Sequence, residues 1–372
     1  MHFKLSDEQI LVRDTLSRFL ADRYDLSSRR RYLALADGFS RENWRDLAEL
    51  GLLSLAFPAA LGGMGGTLVD SMIVMEELGY HAAVEPFSAT FAVGVALGFA
   101  DDRNEAARLA ERLTAGELIV SPALLEPRLS FDRPPKTSAR PEAGGFRLSG
   151  TKRLVRYPAA ELFLVSAAPV CASGSLGAAE LFLVPANSEG LSRLSYRTID
   201  GAPGCDLHLE NATLPQSRRL VGADLGADAL ERVTMFLAFA GSAEMLGILR
   251  RLVETTRDYL KTRVQFGKPL ATKQVVRHRI AEMYMHCDLA RSAVIGAALR
   301  ELGSAESRRA VAAAKVTVNA AADYIGKQAV QLHGGMGVSD EHEVSHAYKR
   351  LMVLKPQFGD TRTHARHLGA VA

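Results

Sequence analysis

The chain has 372 residues, 48% of them hydrophobic and 23% charged, with a net charge of +3; that is enough apolar material for two or three domains with their own cores. Basic residues are interspersed with acids, as in Ser27-Ser28-Arg29-Arg30-Arg31 after Asp22 and Asp25, so no basic stripe points to nucleic acid. Cys171, Cys205 and Cys287 lack metal-ligand or Cys-x-x-Cys spacing, the N-terminus is acidic and amphipathic, and no apolar run reads as a spanning helix; the expectation is a cytoplasmic chain with reduced thiols, no metal and no membrane partner.

Ser6-Asp7-Glu8-Gln9 is a capping box, and Ile10, Leu11, Leu16, Phe19 and Leu20 recur at helical spacing after it, predicting a first helix. Trp44, Leu47, Leu50, Leu52 and Leu53 predict a helix stopped at Gly51, and Phe57-Pro58 with Gly62-Gly63-Met64-Gly65-Gly66 reads as a loop before periodicity resumes from Val69 to Leu78. The glycine run follows no strand and precedes no Lys-Ser/Thr, so it reads as a turn and not as a phosphate loop. Residues 1–116 are expected to form an α-helical domain.

From Glu117 to Leu220 the texture changes. Leu118 to Ser121, Phe146 to Ser149, Leu162 to Ser166, Leu181 to Pro185 and Leu207 to Leu214 are short β-favouring runs between Gly, Pro, Asn and Asp. They predict a middle domain over 117–223, a small antiparallel β-barrel or sandwich, with Ala168 to Glu180 as a mobile loop. Residues 224–372 are expected to form a four-helix bundle. Its first helix carries Ala238, Ala240, Gly241, Ser242 and Ala243, with Leu246, Leu249 and Leu252 as bulk; the others run from Lys273 to Leu302, Glu306 to Gln331 and Val344 to Val353. The fold class is α+β. A helix so rich in small residues is expected to bury against another subunit.

Between the first two bundle helices lies an elbow, Arg263-Val264-Gln265-Phe266-Gly267-Lys268-Pro269-Leu270-Ala271-Thr272-Lys273-Gln274. Gly267 and Pro269 break the helix, while an arginine fork, an amide and a flat ring suit a dinucleotide's pyrophosphate and base. The same residues also suit a plain helical hairpin. Gln331-Leu332-His333-Gly334-Gly335-Met336-Gly337 closes a later helix with glycines that let a ligand approach the backbone, or that merely cap the helix.

The order and spacing of these two motifs, with Glu49 to Gly66 and Glu76-Glu77-Leu78-Gly79 upstream, resemble the acyl-CoA dehydrogenases over nearly the whole chain. The resemblance implies that FAD is the cofactor and an acyl-CoA the substrate, with electron-transfer flavoprotein as electron acceptor. It also implies that Arg263, Gln265, Phe266, Leu270, Gln274, Gln331, Leu332, Gly334 and Gly335 hold the ADP half of FAD across a subunit interface.

The chemistry of that family needs a carboxylate base. Its usual position falls on Gly359 in Phe358-Gly359-Asp360-Thr361, and a minority position falls on Leu237, whose neighbouring arginine becomes Ala238. Asp360 is the fallback base, against a turn or helix-cap role. The flavin-side patterns survive only as Leu125-Glu126-Pro127-Arg128 and Gly150-Thr151-Lys152-Arg153-Leu154-Val155-Arg156, with Leu154 in place of a tryptophan and Arg156 in place of a hydroxyl. Residues reaching a neighbour's ADP remain while a subunit's own ring-side residues do not. The chain thus resembles one subunit of the heterotetrameric (α2β2) members, such as the small subunit of pimeloyl-CoA dehydrogenase, paired with a larger homologous subunit. A homotetramer using Asp360 and a non-enzymatic scaffold are the alternatives.

Overall fold

The structure, a computed structural model, describes residues 4–127, 133–171 and 173–369. It begins with α1 (Asp7–Arg23), α2 (Leu26–Ala34), α3 (Arg41–Glu49), α4 (Leu68–Tyr80), α5 (Phe87–Leu97) and α6 (Arg103–Thr114). Strands β1 (Val120–Ala123), β2 (Ser138–Glu142), β3 (Gly145–Arg156), β4 (Leu162–Pro169), β5 (Glu180–Pro185), β6 (Leu191–Arg197), β7 (Pro203–Pro215) and β8 (Arg219–Val221) follow. The remainder is α7 (Ala223–Thr262), the short strands β9 (Val264–Gln265) and β10 (Lys268–Pro269), then α8 (Gln274–Ala298), α9 (Ala305–His333), α10 (Glu343–Leu354) and α11 (Thr361–Gly369). Two compact units result. One holds the chain up to Arg31, Leu68–Val84 and everything from Ala238 onward; the other holds Tyr32–Thr67 and Glu85–Leu237.

In the first unit, α1 starts at its capping box: the Gln9 amide donates to Ser6 Oγ at 3.2 Å and the Ser6 amide to Gln9 Oε1 at 3.1 Å. α4 and α7 touch backbone to backbone. A Cβ on Gly79 would lie 2.0 Å from the Glu244 carbonyl oxygen, and one on Gly247 would lie 1.9 Å from that of Glu76, so this approach requires glycine at both positions. Arg250 then clamps the pair, Nη1 to Glu76 at 2.7 Å and Nη2 to Glu77 at 2.9 Å.

Two expectations about α7 are corrected here. It is long and apolar enough, by length and composition alone, to cross a membrane, and 89% of its apolar window is buried inside the protein. Its small residues therefore pack within the chain instead of waiting for another subunit. On α8, by contrast, Val275, Met285 and Leu289 are exposed, at 60%, 64% and 59%. α11 adds a fifth helix to the bundle region. Its sequence buries only His364, which left no apolar stripe to read.

In the second unit the eight strands form one sheet in the order β6-β7-β3-β2-β4-β5-β8, with β1 pairing with β4. The expected antiparallel sheet is mixed: β1–β4 and β2–β4 are parallel, the latter through Ser138↔Ala168 and Ala139↔Pro169. β6 escaped prediction because it is an edge strand with Ser192, Arg193, Leu194 and Ser195 all exposed, so its sequence does not alternate. Gly63 to Gly66 donate their amides to carbonyls of Pro58, Ser54, Phe57 and Leu55. No amide there is left for a phosphate, and the glycine run is a turn. Part of the expected mobile loop is likewise bonded, with Cys171 donating to Ser175 at 2.9 Å and Gly177 to Pro169 at 2.8 Å; Ala172 lies outside the described residues.

Candidate cofactor-binding elbow

α7 ends with the Arg263 amide donating to the Tyr259 carbonyl at 2.8 Å. β9 and β10 then pair Gln265 with Lys268 and Val264 with Pro269, leaving Phe266 and Gly267 as the two turn residues at φ 54° and 77°. Both values are left-handed, as a two-residue hairpin of this twist demands. Glycine suits that conformation and phenylalanine does not. Phe266 is also 91% exposed, with the Lys273 ammonium 5.8 Å from its ring centroid. The Leu270 amide closes the elbow onto the Arg263 carbonyl at 2.9 Å, and Leu270 is half-buried. Arg263, Gln265 and Gln274 are exposed.

At the end of α9, Gln331 is exposed and Leu332 half-buried. Gly334, at φ 62°, donates its amide to the Gln331 carbonyl as the helix C-cap. A Cβ on Gly334 or Gly335 would meet nothing within 4 Å, whereas one on Gly337 would lie 2.6 Å from the Val330 oxygen. The first two glycines thus leave approachable backbone, and the third permits packing.

His333 is the residue whose part the sequence reading missed. Its ring stacks on Tyr259 at 4.3 Å, and its Nδ1–H donates to the Ala329 carbonyl at 2.8 Å. Burial pushes its pKa down, so it stays neutral. Because Tyr259 sits one turn before Arg263, this stack brings the elbow and the Gln331–Gly335 turn to the same end of the bundle. A stacked pair far apart in sequence leaves no periodic signal; the aromatic character of both positions was the available hint.

The segment matching the family's base is held from several sides. Asp360 caps α11, its Oδ1 accepting the Thr363 amide at 2.8 Å, and the hydrogen bonds from Thr363 keep its carboxyl below the usual range. His364 donates Nε2–H to the Phe358 carbonyl at 2.9 Å, and burial drives it down to about 4. Gly359 has no side chain and stands at φ 104°. Leu237 and Ala238 are buried apolar residues.

In the sheet, the two eroded motifs meet. The fully buried Lys152 Nζ lies 2.6 Å from Glu126 Oε1 and donates to Ser166 Oγ at 3.1 Å. Glu126 also accepts from the amides of Lys136 and Thr137 and from Thr137 Oγ1, at 2.8, 3.0 and 2.7 Å. Burial lowers Lys152 to about 8. Against burial, Lys152 and Thr137 hold Glu126 below the usual carboxylate range. What survives of these motifs is therefore a structural ion pair. Leu154 sits at a bulge, φ 55° and 48% exposed, and the Arg156 guanidinium covers the Tyr157 ring at 5.0 Å. Arg128 lies outside the described residues.

Arg263, Gln265, Gln274 and Gln331 make no side-chain hydrogen bond or ion pair among the described residues, which leaves a guanidinium and three amides free for a ligand. An anionic diphosphate and a flat base fit this set: a charged fork, a bare ring and open glycine backbone. The groups that would face a flavin ring do not fit equally, since Leu154 offers no aromatic face and Arg156 no acceptor. Among the described residues no group of three or more His, Cys, Asp or Glu side chains could hold a metal.

Comparison with known proteins identifies the family. Residues 6–102 match the description Acyl-CoA dehydrogenase, N-terminal domain, and residues 226–372 match Acyl-CoA dehydrogenase, C-terminal domain. Acyl-CoA dehydrogenase FadE27 of Mycobacterium tuberculosis is 30% identical over 346 residues, covering 90% of this chain and 89% of that one. Acyl-CoA dehydrogenase IpdE2 of Mycolicibacterium smegmatis is 24% identical, covering 98% and 99%. Among solved structures, the ChsE4-ChsE5 complex from Mycobacterium tuberculosis superposes with a TM-score of 0.89 at 26% identity, covering 100% of this chain and 98% of that one. The chain belongs to the acyl-CoA dehydrogenase family, oxidoreductases acting on CH-CH bonds for which FAD is the indicated cofactor.

Proposed function

We propose that this chain is one subunit of a heterotetrameric FAD-dependent acyl-CoA dehydrogenase, lacks a catalytic base of its own, and completes the FAD site of a larger homologous partner. The observation that carries this reading is the strained, 91% exposed Phe266, on an elbow with Arg263, and the absence, among the described residues, of any side-chain bond made by Arg263, Gln265, Gln274 or Gln331. A protein gains nothing from such an arrangement alone. The exposed Val275, Met285 and Leu289 on α8 supply an apolar surface next to the elbow in sequence. The similarity to the ChsE4-ChsE5 complex, whose name pairs two chains, supports an unlike partner.

FAD, when bound, supplies the acceptor for the hydride leaving the acyl β-carbon. The chain's own part is to bind and orient. With FAD bound, the Arg263 guanidinium would pair with the diphosphate, the Phe266 ring would offer its face to the base, and the open Gly334–Gly335 backbone would leave room for the ligand. Proton abstraction falls to the partner, because Gly359 and Leu237 carry no carboxylate and Asp360 is committed to the Thr363 amide. An electron-transfer flavoprotein would serve as the acceptor of the electrons, as the family resemblance implies.

Flavin content tests the proposal. Expressed alone, the chain should purify colourless; co-expressed with a homologous acyl-CoA dehydrogenase subunit, it should elute as a yellow tetramer. A yellow, active homotetramer from this chain alone would replace the proposal with the Asp360 reading. A chain colourless under both conditions would support a scaffold.

A further inference from the structure

Where α7, α9 and α10 come together, three rings meet. His333, the last residue of α9, lies on Tyr259 of α7 with 4.3 Å between centroids and 23° between planes. It also lies 4.9 Å from the ring of His342, the N-cap of α10, whose Nδ1 accepts the Val344 amide at 3.3 Å. Beside it Glu343 ties α10 back to α7, accepting from Arg251 at 3.0 and 3.1 Å and from Thr255 Oγ1 at 2.9 Å. The Tyr259 carbonyl accepts the Arg263 amide, and His333 immediately precedes Gly334. The contact between the two rings therefore joins the turn of α7 that carries the elbow to the turn of α9 that carries the glycines.

His333 is 3% exposed. Its Nδ1–H donates to the Ala329 carbonyl at 2.8 Å, which leaves the lone pair on Nε2. That nitrogen is buried and has no hydrogen-bond partner among the described residues. The ionisable groups facing the ring are Tyr259 from α7 and His342 and Glu343 from α10, and the Glu343 carboxylate is committed to Arg251 and Thr255. A bare ring nitrogen in this setting suits the neutral form alone: a proton on Nε2 would create a buried cation with no acceptor for its new N–H.

We propose that His333 is a positioning residue for the cofactor end of this chain: its stack on Tyr259 fixes the elbow against the Gly334–Gly335 turn, and its bare Nε2 makes that hold sensitive to protons. The inference rests on the FAD reading only for what the two segments would grip; the contact itself lies within this chain. Water can accept from Nε2–H once the ring swings out, so protons favour the open form. Burial accordingly holds the folded pKa below the ordinary histidine value of 6.5. The closed form is complete above that value and is lost as pH falls below it.

Hydrogen–deuterium exchange of the full chain, in the assembly in which it purifies, reads the hold directly from pH 7.5 down to pH 5. The reporters are the amides of Leu270, bonded to the Arg263 carbonyl, and Gly334, bonded to the Gln331 carbonyl. Corrected for intrinsic rates, their exchange should rise below pH 6.5 by up to about tenfold per pH unit, the limit for one linked proton. His333→Phe keeps a flat ring on Tyr259 with no nitrogen to protonate; it should keep the protection at pH 7.5 and lose the acid response. His333→Ala removes the stack and should raise exchange in both segments roughly two- to tenfold already at pH 7.5. Tyr259→Leu breaks the same stack from α7 and should do likewise, which covers a His333→Ala chain that fails to fold. An acid response in His333→Phe equal to that of the wild type would overturn the inference, as would unchanged protection at pH 7.5 in both stack-breaking chains. If FAD is bound and is retained equally by the wild type and the stack-breaking chains, the positioning role falls and the FAD reading stands. If exchange behaves as expected while neither added FAD nor co-expression with a homologous subunit gives a flavin-bearing protein, the contact stands and the FAD reading falls.

Discussion

Phe266→Asn should make the isolated chain more stable and the flavin less firmly held. The hairpin places residue 266 at φ 54° before Gly267 at φ 77°, a conformation that costs an ordinary residue roughly 1–2 kcal/mol and asparagine much less. Against that relief stands the loss of an exposed contact with the Lys273 ammonium, 5.8 Å from the ring centroid, a type of interaction worth at most about 0.5–1 kcal/mol. Little burial is lost, because the ring is 91% exposed. The net gain is about 0.5 kcal/mol, read as a rise of about 1 °C in the melting temperature of the flavin-free chain. In the assembled complex the same substitution removes an aromatic contact with the ligand, worth about 0.5–1.5 kcal/mol or up to roughly tenfold in FAD affinity. Differential scanning fluorimetry of the apo chain and absorbance-based flavin retention of the complex read the two effects separately. A fall in apo melting temperature with unchanged flavin retention would refute the reasoning, since Phe266 would then be a structural residue.

Arg263→Ala in the complex should weaken FAD binding roughly ten- to a hundredfold, the scale of a lost charge-assisted pair; equilibrium dialysis against FAD reads it. Asp360→Asn keeps the helix-cap acceptor and should leave turnover within about threefold, whereas losing a general base costs about a hundredfold or more; a loss of that size with flavin and assembly intact would return Asp360 to catalysis. Glu126→Gln strands the fully buried Lys152 and should destabilise the chain by about 3 kcal/mol in chemical denaturation, a deficit that Lys152→Met in the same chain should partly recover. His364 is held at about 4 when folded against 6.5 when free, so protons favour the unfolded chain. Its stabilisation is complete above pH 6.5 and is lost as pH falls from 6.5 toward 4, by up to about 3 kcal/mol, and a His364→Gln chain should show a flatter acid limb in denaturant midpoints.

Features encoded locally were the legible ones. The Ser6–Gln9 capping box is a four-residue device, and its two hydrogen bonds are present in the structure. The Arg263–Gln274 elbow was visible because glycine and proline punctuate it, although its turn geometry was not, since a phenylalanine at φ 54° contradicts the preference from which turns are read. Contacts between distant segments were not legible. Nothing in the spacing of Tyr259 and His333 announces a stack at 4.3 Å. Glu126 and Lys152, 26 positions apart, looked like remnants of flavin-facing motifs, yet they form the ion pair inside the sheet. Small residues on α7 were equally ambiguous, because alanine and glycine permit close approach by any neighbour; the neighbour at Gly247 is α4 of the same chain. Motif survival is therefore not evidence of ring-side function here. The retained part of the eroded motifs holds the sheet together, and the lost part left Leu154 exposed on its bulge, so selection for folding alone is enough to preserve Glu126 and Lys152.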